Sequence, residues 1–182
     1  WYRFLSGKPD LEEVNFWQPS GGRAFREQPG TPFFFKLKSP YNAIAGFGCF
    51  ARHSVLPLWL AWESFRELNG APDLPALRRL IERNRHQHAG EEVDQHLIGC
   101  IMVTSPVFFQ RDDWIPQPSD WAPNIVSGAG RDLTAGEGRR IWDACMTRAR
   151  GGSLFPEGAA AARSGERFGP PHLFRPRLGQ GT

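Results

Sequence analysis

Three tryptophans sit where the chain is least regular, and each has polar neighbours. Trp17 lies between Asn15 and Gln18 with Ser20 just beyond, Trp114 follows Asp112 and Asp113, and Trp121 precedes Asn124 and Asp132. An aromatic face stacks on a flat ligand, while amides and ionised carboxylates beside it can read that ligand's hydrogen-bonding edge. A pocket for an extruded nucleobase needs such a set: stacking contributes about 1–3 kcal/mol per base, and the polar groups tell one Watson–Crick edge from another. The same tryptophans could equally plug the ends of a small barrel.

Patterns for other chemistry are missing. The chain contains no G-x-S-x-G, no phosphate-binding P-loop and no H-E-x-x-H. Asp112–Asp113 and Glu91–Glu92 are paired acids, but sequence neighbours point apart and these read as solvated loop charges. Gly128-Ala129-Gly130 approaches a dinucleotide fingerprint without the strand and helix that would give it meaning. His53, His86, His88, His96 and His172 make no ligand spacing with Cys49, Cys100 and Cys145, so no metal site, no cofactor and no catalytic residue are expected here. Without a nucleophile–base pair, a stand-alone small-molecule enzyme is disfavoured.

Composition sets the frame for these residues. The chain has 182 residues, 40% of them hydrophobic and 13% aromatic, which excludes a disordered chain and supports one packed domain with a short tail. No apolar run reaches the roughly 20 residues of a membrane span, and nothing resembles a signal peptide. The three cysteines lie among apolar residues and read as buried thiols of a cytoplasmic protein. A net charge of +3 is compatible with nucleic acid without being diagnostic of it. Starting at Trp1 without a methionine, the chain reads as a fragment.

The elements that must position the candidates follow from periodicity. Residues 13–17 read as a short strand. In residues 32–38, Phe33, Phe35 and Leu37 share a core face, while Phe34, Lys36 and Lys38 share a face turned to solvent or ligand. The return strand, residues 43–51, puts Gly46 and Gly48 on one face, leaving a hollow where a flat ligand or another backbone can approach closely, or else the bend of a barrel strand. Helices are expected over 58–69, ending at Gly70, and from a cap at Asp73 through Leu74, Leu77, Leu80 and Ile81. Residues 97–103 are apolar on both faces and read as a central strand, with "SPVFF" as a further short one. The Pro-, Gly- and Trp-rich stretch from Asp112 to Leu133 has no periodicity and suits a functional loop. A last helix opens on a Thr134/Glu137 capping box and turns Ile141, Trp142, Cys145 and Met146 inward. From Gly151 the composition shifts to that of a linker.

Several ordered blocks then add a likeness. "EVNFWQPSGG", "PGTPFFFKLKSPYNAIAGFGCFARHSVLP", "LAWESFRELNGAP", "IGCI", "DWIPQPSDWAPNIVSGAGRDL" and "GEGRRIWDAC" together resemble the N-terminal region of HNH restriction endonucleases, from about Val14 to the closing "RFGPPHLFRPRLGQGT". The resemblance implies an α+β fold: a small PUA-like β-barrel with flanking helices over residues 1–150, similar to EVE and SRA domains. Residues 151–182 would then be a linker into an HNH nuclease domain beyond this chain. It implies a reader that flips a modified base out of double-stranded DNA, with a tethered nuclease, dependent on a divalent metal, cutting nearby. Asn15, Trp17, Gln18, Ser20, Gly46, Gly48, Trp121, Asn124 and Asp132 would form the base pocket, and Lys36, Lys38, Arg52 and Arg131 would meet phosphates. Where relatives carry Gln-Gly-Lys-x-Tyr-Asp after "NIV", this chain has Ala129 for the lysine and Arg131 for the tyrosine, and keeps Asp132. A PUA-like reader of modified RNA is the alternative, with no membrane partner in either case and a homodimer as an open option.

Overall fold

Alternating side chains and turn residues lay down five strands: β1 (Glu13–Gln18), β2 (Pro32–Leu37), β3 (Ala43–Pro57), β4 (Leu97–Phe108) and β5 (Ile115–Pro116). The helices are α1 (Tyr2–Leu5), α2 (Leu58–Phe65), α3 (Leu74–Asn84) and α4 (Gly136–Gly151), with 3-10 turns at Arg66–Asn69 and Arg111–Asp113. They are seen in a computed structural model that describes residues 1–21, 25–84, 96–122 and 130–151. The tail expected to be a linker beyond Gly151, and Asn124, lie outside the described residues.

The sheet is antiparallel with strand order β1-β4-β3-β2, and β5 pairs with β3. Val14 opposes Val103 and Gln18 opposes Gly99 in the first pairing, and Ile44 opposes Ile115 in the last. The α+β class is as expected. Among the described residues the sheet is not closed, β1 and β2 standing at the two ends of the strand order, so the small barrel expected is not shown.

Two long strands replace the shorter ones expected. β3 runs to Pro57, and β4 continues through Ser105–Pro106, absorbing "SPVF" rather than ending at Val103. Ser105 takes a left-handed φ of 49° there, and its N–H still reaches Glu12 O at 2.8 Å, so the ladder bends without breaking. Central placement of β4, between β1 and β3, explains its apolar character on both faces.

Two compact units divide the chain: Trp1–Phe33 with Gly48–Pro106, and Phe34–Phe47 with Val107–Thr182. In the first, Leu58, Ala61 and Phe65 of α2 and Leu77 and Ile81 of α3 pack with Ile98 and Cys100 of β4. Each fully buried Leu, Ile or Phe of this kind contributes about 1.5–3 kcal/mol. Asp73 caps α3 as expected, its Oδ1 accepting from Ala76 N–H at 2.7 Å. Residues 58–69 divide into α2 and a 3-10 turn because Arg66 has φ 45°, and Gly70, at φ 77°, supplies the left-handed stop.

The second unit gathers Ile44, Phe47, Val107, Phe109 and Ile115 around Ile141, Cys145 and Ala149 of α4, a stripe at fourfold spacing. Its helix start differs from the capping box expected. α4 begins at Gly136, and Arg139 N–H is accepted by Ala135 O. Asp132 Oδ1 takes both the N–H and the hydroxyl of Thr134, at 2.8 and 2.6 Å, which leaves Thr134 outside the helix. An aspartate two residues ahead competes for the threonine's groups, and here it prevails.

Candidate nucleic-acid interface

At the end of β1, Asn15 and Trp17 are consumed by the fold. Asn15 is fully buried, and its Nδ2 donates to Asn69 Oδ1 at 2.8 Å. Asn69 Nδ2 donates in turn to Ala61 O at 3.1 Å and Arg66 O at 2.9 Å. Trp17 Nε1 donates to Asn69 O at 3.0 Å, and its ring packs against the α2–α3 core. These two residues anchor β1 to the 3-10 turn. The N–H groups of both side chains are spent on Asn69, while Asn15 Oδ1 is buried without a hydrogen-bond partner among the described residues.

The glycine hollow is also filled. A Cβ at Gly46 would lie 2.2 Å from Val107 O and 3.2 Å from Phe108 Cα. One at Gly48 would lie 2.5 Å from Val103 Cγ1 and 2.9 Å from Thr104 O. Both glycines are buried, and both let β4 pass close to β3. The backbone that needs the space is the protein's own.

The loop residues of the second unit are likewise paired among themselves. Arg131 holds Asp120 with two hydrogen bonds, at 2.6 and 2.7 Å, and its guanidinium lies 5.3 Å from the centre of the Trp121 ring. One face of Trp121 is thereby covered, and the Arg131 charge is matched, so neither has the open role expected of it. Asp132 spends an oxygen on Thr134, which holds its carboxyl below the usual range, and its backbone O would strike a Cβ at Gly138 at 2.0 Å. Glu137, grasped by Arg140 and by the Ser119 N–H, is held down to about 2. Trp114 donates to Phe109 O at 3.2 Å and meets Tyr41 edge-on.

Among the expected phosphate contacts, Lys38 and Arg52 fit best. Both are exposed, and neither makes an ion pair among the described residues, whereas Lys8, Arg66, Arg131, Arg139 and Arg140 are each matched by a carboxylate. Lys36 is half-buried, and its Nζ reaches Leu37 O at 3.4 Å. Burial, then the charge of Lys38, push its pKa below the ordinary lysine value. Their shared face is only partly open, because Phe34 turns in against Trp142.

Besides Asn15, whose Oδ1 is buried and unpartnered among the described residues, Gln18 is a pocket candidate with a polar atom to spare. Its Oε1 is buried without a hydrogen-bond partner among the described residues, as is Nε2 of His53 on β3. Both converge on Gly99 of β4: a Cβ there would lie 2.8 Å from Gln18 Oε1 and 3.2 Å from His53 Nε2. Sequence reasoning misses His53 and Gly99, because only the strand order brings the three together. Ser20 is exposed just past the end of β1.

Family models, curated proteins and solved structures yield no match to this chain.

Electrostatics narrow what the arrangement can do. Burial pushes the Cys145 thiol up to about 12 and raises that of Cys100, so both stay protonated and inert at neutral pH. No group of three or more His, Cys, Asp and Glu side chains among the described residues gathers as a metal would need. No helix among the described residues is long and apolar enough to cross a membrane.

Proposed function

We propose that this chain is the DNA-reading part of a modification-dependent HNH restriction endonuclease, a PUA-superfamily reader that holds a modified base turned out of the duplex. The ordered blocks from Val14 onward support the family reading, and the open α+β sheet is compatible with it. The structural observation that supports it is that Lys38 and Arg52 are exposed cations without an ion pair among the described residues, as are Arg26, Arg79, Arg83, Arg111 and Arg150. Unmatched surface cations favour a polyanion, and phosphate contacts of this kind supply affinity and register rather than sequence information. The divalent metal and the cutting step belong, on this reading, to the HNH domain.

Fluorescence anisotropy of labelled duplexes over a salt series tests the proposal. The expected result is weak binding to unmodified duplex, with a dissociation constant of about 10⁻⁴–10⁻⁶ M that weakens steeply with salt. Lys38→Ala and Arg52→Ala should each lower the salt slope by about 1 and weaken modified and unmodified duplexes equally. Absent or salt-independent binding would overturn the proposal.

A further inference from the structure

The stretch FREQPGTP, residues 25–32, leads into β2 and is fastened to β3 at one point. Proline followed by glycine dictates a type II turn over residues 28–31. Thr31 N–H closes it on Gln28 O at 3.1 Å, and Gly30 takes a φ of 91°. No atom lies within 4 Å of where a Gly30 Cβ would sit, so the glycine serves its backbone angle alone. The turn then brackets Phe50 of β3: Gly30 N–H donates to Phe50 O at 2.7 Å, and Phe50 N–H donates to Thr31 O at 2.8 Å. The Phe25 ring meets the Phe50 ring edge-on at 4.8 Å and the Phe33 ring at 5.6 Å. Phe33 in turn meets Phe16 of β1 at 5.1 Å. Four rings and two backbone hydrogen bonds rivet the segment to the sheet.

The rivet carries two cations. Arg26 follows Phe25, and Arg52 lies two residues past Phe50 on β3, so the Phe25–Phe50 ring pair brings their stretches of chain together. Both arginines are exposed, and neither makes an ion pair among the described residues. Glu27, next to Arg26, is half-buried and pairs with neither. Two like charges on one rigid part of the surface repel each other until an anion lies across them. Resting on the reading of this chain as a DNA reader, we infer that Arg26 and Arg52 form a preset grip on neighbouring phosphates of one strand of duplex DNA. Each guanidinium presents a planar fork of N–H donors that matches phosphate oxygens. The rivet fixes the backbone under both side chains before DNA arrives, so less freedom is lost on binding than two loose chains would lose. The grip supplies affinity and register and does not tell a modified base from an unmodified one.

The test is a salt series of fluorescence anisotropy with the intact 182-residue chain and a labelled, unmodified DNA duplex. Arg26→Ala should lower the salt slope by about 1, and Arg26→Lys should keep it. The double variant Arg26→Ala with Arg52→Ala should lower it by about 2, one for each phosphate. Phe25→Ala changes no charge, yet it should weaken binding by about twofold or more, because Arg26 is no longer held in place. Thermal melts precede the titrations, and if Phe25→Ala fails to fold, Arg26→Ala decides. A folded Arg26→Ala chain with the wild-type slope, or a double variant that loses only about 1, overturns the grip. The reader function still stands in that case if Lys38→Ala lowers the slope. A folded Phe25→Ala chain that binds as wild type overturns the positioning by the ring pair. Tighter binding to an RNA duplex of the same sequence overturns the DNA assignment, and no salt-dependent binding to any duplex overturns both grip and reader.

Discussion

Replacing Asn69 with alanine should cost more stability than its small size suggests. Asn69 is wholly buried; it donates to Ala61 O and Arg66 O and accepts from Asn15 Nδ2. Truncation removes these three hydrogen bonds, about 0.5–1.5 kcal/mol each, and strands the buried Asn15 amide for about 1–3 kcal/mol more. A loss of about 4 kcal/mol is expected, a large part of the roughly 5–15 kcal/mol that holds a domain together. For a chain of this size that corresponds to a fall of about 8–16 °C in Tm. Urea unfolding followed by tryptophan fluorescence and far-ultraviolet circular dichroism measures it. Asn15→Ala and the double variant complete a cycle, in which a coupling of about 1 kcal/mol or more is expected for two residues in contact. If Asn69→Ala unfolds within about 1 kcal/mol of the wild type, or the cycle shows no coupling, the network does not anchor β1 as described.

Other perturbations probe other parts of the fold. Gly46→Ala should destabilise by about 1–3 kcal/mol or more, since the new methyl meets the Val107 carbonyl, part of a backbone that cannot rotate away; a neutral result in urea unfolding would mean that β4 does not press on β3 there. Glu137 has its carboxyl lowered from 4.5 to about 2 by Arg140 and the Ser119 N–H, so its contribution is present above pH 4.5 and is lost as pH falls toward 2. Acid titration of Glu137→Gln should therefore show a shallower loss than wild type in that window, and identical curves would refute the pairing. His53 has its pKa lowered from 6.5 by burial, so the unfolded chain takes up the proton first and stability drops as pH falls below about 6.5. Melts of His53→Gln between pH 7.5 and 5 should lack that part of the decline.

Local pattern and long-range pairing were unequally legible in the sequence. Period-two alternation put Phe35 in a core and marked residues 97–103 as a central strand, and the Asp73 cap and Gly70 stop were readable from neighbouring residue types. Gly46 and Gly48 correctly announced a close approach, but a glycine does not say what approaches, and here it is β4. Asn15 and Trp17 look like free recognition groups until Asn69, more than fifty residues on, is folded against them. Arg131 departs from the pattern of the resembling family, and its pairing with Asp120 gives the change a local role. The Gln18, His53 and Gly99 constellation was out of reach because it depends on β4 lying between β1 and β3, an order that local periodicity does not fix.

Base extrusion can be watched directly. A duplex carrying one 5-methylcytosine, with 2-aminopurine as its immediate neighbour in the same strand, reports unstacking as a rise in fluorescence when the base turns out. With saturating protein, the account predicts a several-fold rise that is specific to the modified duplex. Should 5-methylcytosine not be the base read, the same design with N6-methyladenine should give that rise. Saturated binding of both modified duplexes with fluorescence unchanged from the free DNA would contradict the central claim that this chain holds an extruded base.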